Sequence, residues 1–136
     1  GKWGSYGVNG WVYVNAEPGG VLYGKPAQSF WKTPNVKEAS RIPLFLDAVY
    51  WCGWPDDTDR PPSYPEEHWS GDTDSMHRFT IDRHHQAING IYLDYHVDKI
   101  WLKALWRQRW SKRYNVNTPP PDWQVEAPWM VDFKGD

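Results

Sequence analysis

The stretch Arg83–Tyr114 constrains the fold more than any other part of the chain. From Ala87 to Leu93 small and apolar residues dominate, and from Val97 to Trp101 apolar and charged residues interleave, the pattern of a half-buried strand pair. Only Asp94-Tyr95-His96 separates the two segments, so they are expected to form an antiparallel hairpin with Asp94 in the connection. Beyond the hairpin Leu102, Leu105, Trp106 and Trp110 recur at helical spacing, with Lys103, Arg107, Lys112 and Arg113 between them. That spacing predicts a basic amphipathic helix with buried tryptophans and solvent-facing cations. The fold class is therefore α+β: an antiparallel sheet with a hairpin and a short amphipathic helix.

The core that such a sheet needs has an unusual source here. Aliphatic residues are sparse, but the net charge is only −2 and the chain carries 11 Trp and 8 Tyr. Each large aromatic buries roughly 150–250 Å², so the core is aromatic and the composition of a disordered chain does not apply. At 136 residues the chain is long enough for one domain with one core. Cys52, the lone cysteine, cannot form an internal disulfide, and its Trp51-Cys52-Gly53-Trp54 setting marks a buried small hydrophobe rather than a nucleophile. No apolar run reaches the length of a membrane span. The start at Gly1-Lys2 without Met suggests a fragment or a processed product.

Along the rest of the chain, Trp11-Val12-Tyr13-Val14 is expected to be a short strand between glycine turns. Val36 to Ala39 leaves room for one helical turn with Asn35 as its cap. Ile42 to Trp51 predicts a buried strand broken only by Asp47, and Met76 to Asp82 a further strand. Between them, Gly53 to Ser75 has loop chemistry over more than about twenty residues, a length that calls for a function or a clamp. Residues 1–114 form the expected globular domain, and 115–136 a Pro-containing tail with Trp123 and Trp129.

Several short motifs carry a family resemblance. Arg83-His84, then Asn89, then Asp94 ten positions after His84, then His96-Val97 resembles the C-terminal signature of prepilin-like proteins of Planctomycetes and Verrucomicrobia, a His followed after nine residues by Asp-Gly. Ser5-Tyr6-Gly7-Val8-Asn9, Ile42 to Asp47 and Asp59-Arg60-Pro61-Pro62 are similar to further segments of those proteins. Two features depart from the pattern: His85-Gln86-Ala87 replaces glycines, and Tyr95 replaces the turn glycine. A left-handed residue other than glycine costs roughly 1 kcal/mol or more, so the turn is expected to be longer or of αR type. The resemblance implies a pilin-like C-terminal globular domain whose long apolar N-terminal helix lies upstream of Gly1.

Two clusters suggest metal chemistry. Asp56, Asp57 and Asp59, with Asp72 and Asp74 later in the same loop, supply hard oxygen ligands at spacings suited to calcium. The similarity to calcium-carrying type II secretion pseudopilins points the same way; a solvated acidic loop stiffened by Pro55, Pro61, Pro62 and Pro65 and anchored by Trp54, Tyr64 and Trp69 is the alternative. His84, His85, Asp94 and His96, with His77 nearby, are transition-metal ligand types, but no HExxH or CxxC element accompanies them. A cross-strand pair of His84 or His85 with Asp94 or Asn89 accounts for the same residues structurally.

Three function classes follow. The first, which rests on the resemblance, is a non-enzymatic structural subunit of an extracellular filament or of a type II secretion or type IV pilus-like apparatus. Its partners would be copies of itself or related subunits, with membrane contact only through the missing helix, before assembly at the inner membrane. The second is a binding module in which surface aromatic rings stack on sugars or another ligand, and the third a metal-dependent hydrolase. Nucleic acid is not an expected partner, because the tryptophans interleaved with the basic residues lie on the apolar face of the expected helix. The acidic loop and the basic segment, on one small domain, suit head-to-tail association.

Overall fold

The computed structural model describes residues 5–12, 21–22, 24–68 and 73–135. Its frame is a five-stranded mixed sheet of β1 (Ser5–Asn9), β4 (Pro43–Ala48), β5 (Cys52–Gly53), β6 (Ala87–Tyr92) and β7 (Val97–Trp101), in the order β5-β1-β4-β6-β7. All neighbours are antiparallel except β1 and β5, which run parallel. A small antiparallel pair, β2 (Val21–Leu22) and β3 (Lys25–Pro26), stands apart from it. Short 3-10 turns and one four-residue helix, α1 (Trp123–Glu126), supply the helical part of this small α+β domain.

The hairpin forms as the alternation predicts, with Ile91 opposite Val97, Asn89 opposite Lys99 and Ala87 opposite Trp101. Its turn differs from expectation. Tyr95 N–H donates to Tyr92 C=O at 2.9 Å, and Tyr95 itself takes φ +68°, in the left-handed region rather than the expected longer or αR-type turn. Local contacts offset the strain: Asp94 accepts the His96 N–H, its carboxylate pairs with the His96 ring, and that ring stacks on Tyr92 at 4.5 Å.

The expected amphipathic helix is replaced by a 3-10 turn, Leu102–Arg107, that ends in extended backbone at Gln108. The reason lies in where the next donors go. Arg109 N–H bonds to Arg41 C=O and Lys112 N–H to Ser29 C=O, so tertiary partners take the hydrogen bonds a helix would use. The burial pattern survives for Leu102, Leu105, Trp106 and Trp110, all buried. Lys103 breaks it: its side chain is only 2% exposed, and its ammonium donates to Val131 C=O at 2.8 Å.

Two other strands are corrected. Gly10–Val12 is a 3-10 turn, because Asn9 Oδ1 accepts the Trp11 N–H and curls the chain; Tyr13 and Val14 lie outside the described residues. Ser5–Asn9 is the strand instead. Ser75–Arg78 is likewise a 3-10 turn, after which Thr80 closes on Met76 C=O through both its N–H and its hydroxyl. That apolar run is buried as core filling rather than as sheet. Ile42 to Trp51 yields a strand only over β4, after which the chain bends back to place Cys52 beside Val8. Near Asn35 the helical turn runs from Ala39 to Arg41 and has no side-chain cap.

One sheet face is covered by the core, which includes Ile42, Leu46, Ile88, Ile100, Phe79, Leu105 and Trp110. The segment after Tyr114 belongs to the same core: Trp123, Ala127 and Met130 are buried, and Trp123 meets Trp106 edge to face at 5.4 Å. Cys52 is 2% exposed, and burial pushes its thiol above the ordinary range, so it packs as the small hydrophobe expected.

Candidate functional site

The residues that carry the resemblance separate into two places. Asp47 points from β4 to the sheet face opposite the core, in register with Tyr6, yet it is 1% exposed. Arg83 and His84 cover it. Arg83 Nη1 donates to Asp47 Oδ1 at 3.0 Å and to Ser5 C=O at 2.9 Å, His84 Nε2 lies 3.0 Å from Oδ2, and the Asn89 N–H donates to the same oxygen at 2.8 Å. Ser5 Oγ then donates to Ala48 C=O at 2.8 Å, so β1, β4 and β6 are tied at one point. A buried carboxylate needs such compensation, since an isolated buried charge costs several kcal/mol or more. Asp94 and His96 form their own exposed pair at the hairpin tip, and hydrogen bonding from the His96 ring holds the Asp94 carboxyl below its ordinary value. The expected cross-strand pairing of His84 or His85 with Asp94 or Asn89 is thus replaced by His84 with Asp47, and Asn89 contributes its main chain.

The acidic loop is organised by hydrogen bonds from protein groups. Asp59 Oδ2 accepts the N–H groups of Asp56 and Met76, which joins the two ends of the loop. Asp56 Oδ1 accepts from Thr58, Asp74 from the Arg60 N–H and guanidinium, and Asp57 Oδ2 from the Thr118 hydroxyl. Asp56, Asp59 and Asp74 share a polar cleft with Lys25, Thr58 and Thr73. Burial raises the Asp59 carboxyl to about 7, against the lowering effect of its two N–H donors. Asp72 lies outside the described residues. Among the described residues no three His, Cys, Asp or Glu side chains are grouped to hold a metal ion.

Three indole N–H groups fasten the same loop from outside. Trp11 donates to Pro55 C=O at 2.9 Å, Trp106 to Asp59 C=O at 2.8 Å, and Trp129 to Pro62 C=O at 2.8 Å. Of the loop's own aromatics, Trp54 is half-buried against the core, Tyr64 is 54% exposed, and Trp69 lies outside the described residues. Composition alone signalled an excess of tryptophan, but nothing in it marked these three rings as donors. The hub role of Asp47 had a readable sign, a single carboxylate inside an apolar strand.

Beside the Arg83 and His84 cover, the face that carries Asp47 presents exposed apolar side chains among the described residues. Val8, Phe45, Ile91 and Val97 stand directly opposite one another on consecutive strands, an apolar row that crosses β1, β4, β6 and β7. Tyr6 stacks on Phe45 with ring centroids 5.5 Å apart. Tyr6, Phe45 and Val97 are 61%, 39% and 67% exposed, and three strand spacings make the row about 14 Å wide. A neighbouring polar row of Asp47, Asn89 and Lys99 flanks it, with Arg83 and His84 closing over the first of these. Trp106 and Trp110, by contrast, are too deeply buried for a base to stack on them.

A scan against protein-family models finds no match to this chain, and searches of curated proteins and of solved structures find none either. Among the described residues no helix is long and apolar enough to cross a membrane.

Proposed function

We propose that this chain is the globular domain of a pilin-like or pseudopilin-like subunit, a non-enzymatic structural component of an extracellular filament or secretion apparatus. The observation that carries the reading is the Asp47 knot. Three motif stretches that resemble the prepilin-like proteins, Ser5–Asn9, Ile42 to Asp47 and Arg83 to Asn89, lie far apart in sequence and meet there, through Ser5 C=O, the Asp47 carboxylate, Arg83, His84 and the Asn89 N–H. A set of residues that converges in this way is what one inherited fold element would leave in the sequence. The apolar row of Val8, Phe45, Ile91 and Val97 supports it further, since an exposed contiguous apolar strip marks an interaction surface. In this reading the row contacts neighbouring subunits, and the subunit is anchored in the inner membrane by an upstream apolar helix before it is assembled outside the cell.

The test starts with the open reading frame around Gly1. A prepilin-type cleavage site followed by a long apolar segment is expected upstream, and antibodies to the domain are expected to label filaments sheared from the cell surface. An upstream sequence without that site overturns the reading.

A further inference from the structure

Two segments far apart in the chain, residues 27–31 and 110–112, are fastened side by side. Lys112 N–H donates to Ser29 C=O at 3.1 Å, and Trp110 C=O accepts from both the Trp31 indole and the Asn9 amide, each at 3.0 Å. Phe30 and Trp110 are wholly buried, so the pair is anchored in the core. It carries two serines to one place. Ser29 and Ser111 are 3% and 4% exposed, and neither hydroxyl forms a hydrogen bond with a described residue. Most buried polar groups have a partner, so two such hydroxyls on one floor call for an explanation.

Both serines line a cleft with Lys25, Arg113, Asp56 and Asp57. Among the described residues neither Lys25 nor Arg113 enters an ion pair. The two carboxylates are half engaged. Asp56 Oδ1 accepts from Thr58 and Asp57 Oδ2 from the Thr118 hydroxyl, while Asp56 Oδ2 and Asp57 Oδ1 accept from no described residue. Unengaged donors and acceptors of both charge signs thus share one cleft, and its two cations balance its two carboxylates.

We propose that this cleft binds a small zwitterion, a molecule that carries a carboxylate and an amine. The carboxylate is held by the Ser29 and Ser111 hydroxyls together with Lys25 and Arg113, whose planar guanidinium matches it in bidentate fashion. The ammonium is held by the unengaged oxygens of Asp56 and Asp57. Charge balance selects against the simpler ligands: an anion alone would lie beside two carboxylates, a cation alone beside Lys25 and Arg113, and like charges brought together in this way cost affinity. A neutral sugar would leave all four charges without a counter-charge. The inference concerns one copy of the chain and is independent of the filament reading.

NMR titration of the intact chain tests it, with unbranched amino acids from glycine to aminohexanoate as zwitterions of increasing span, and with acetate, methylammonium and glucose as controls. At least one zwitterion is expected to shift the Ser29 and Ser111 amides and the Trp11 indole N–H, whose ring lines the same cleft, in a saturable way. Its Kd is expected to lie at least about tenfold below that of any control. Arg113→Gln and Asp57→Asn should each weaken it by about tenfold or more. Ser111→Ala should weaken it while leaving Tm unchanged, because the hydroxyl it removes has no described partner. If Ser111→Ala does not fold, the change at exposed Arg113 decides. Absence of saturable binding by every zwitterion, a control that binds as tightly as the best of them, or an affinity that survives Arg113→Gln or Asp57→Asn overturns the proposal.

Discussion

Replacing Arg83 with Met removes the fully ionised partner of Asp47 while keeping much of the side-chain volume. The Asp47 carboxylate then retains His84 and the Asn89 N–H but loses the guanidinium at 3.0 Å, in a site where the carboxylate side chain is 2% exposed. Breaking a buried pair from one side costs about 3–5 kcal/mol. Arg83 is itself a quarter exposed, and His84 stays, so the expected loss is nearer about 2–3 kcal/mol. Asp47→Asn should cost about 2 kcal/mol by a different route, because its amide NH₂ group must face one of the donors that the carboxylate accepted. The double variant removes both charges and should be destabilised by less than the sum of the two, with a coupling of at least about 1.5 kcal/mol. Urea unfolding at neutral pH measures all three, and the Arg83→Met change should lower Tm by about 6–12 °C for a domain of this size. If the single changes cost under about 0.5 kcal/mol, or the double variant is additive, Asp47 is not an electrostatic knot.

Asp59 is expected to make stability fall with rising pH. Its folded-state value of about 7 lies above the ordinary 3.8, so the folded chain binds this proton more tightly; the stabilisation is full below about pH 4 and is lost as pH rises through 7. The difference amounts to at most about 4 kcal/mol, and Asp59→Asn, which keeps an acceptor for Met76 N–H, should flatten the pH profile and raise stability at pH 8. Lys103→Ala should cost about 1–3 kcal/mol in chemical denaturation, because it removes the buried donor to Val131 C=O, whereas exposed Arg107→Ala should change little; equal effects would contradict the assignment. Melting in chelator and in millimolar calcium should coincide if indole donors and turn hydrogen bonds suffice to hold the Gly53 to Ser75 loop. A calcium-dependent gain of about 2.7 kcal/mol at a hundredfold excess over Kd would instead show that the Asp56, Asp57, Asp59 and Asp74 carboxylates take an ion.

The hairpin was legible because its information is local: alternation between Ala87 and Trp101 and one short break define both strands and their pairing. Burial of Trp106 and Trp110 was legible for the same reason, even though the helix expected to present them is a 3-10 turn. Spacing reports which side chains face the core but not which backbone delivers them there. Met76 to Asp82 shows the same ambiguity, since a short apolar run fits a strand or a core-filling turn equally well.

By itself, then, the sequence determined an aromatic core in one small α+β domain, the β6–β7 hairpin, and the acidic loop as a segment that needs holding. Tertiary structure alone decided what holds it. The Trp11, Trp106 and Trp129 indoles reach loop carbonyls from positions 44, 47 and 67 residues away, and Asp47 gathers Arg83 from 36 residues away. Contacts at such separations leave no periodic trace in the chain. They exist only once the sheet has brought the strands together, when burial makes an unpaired donor or carboxylate costly enough to select its partner.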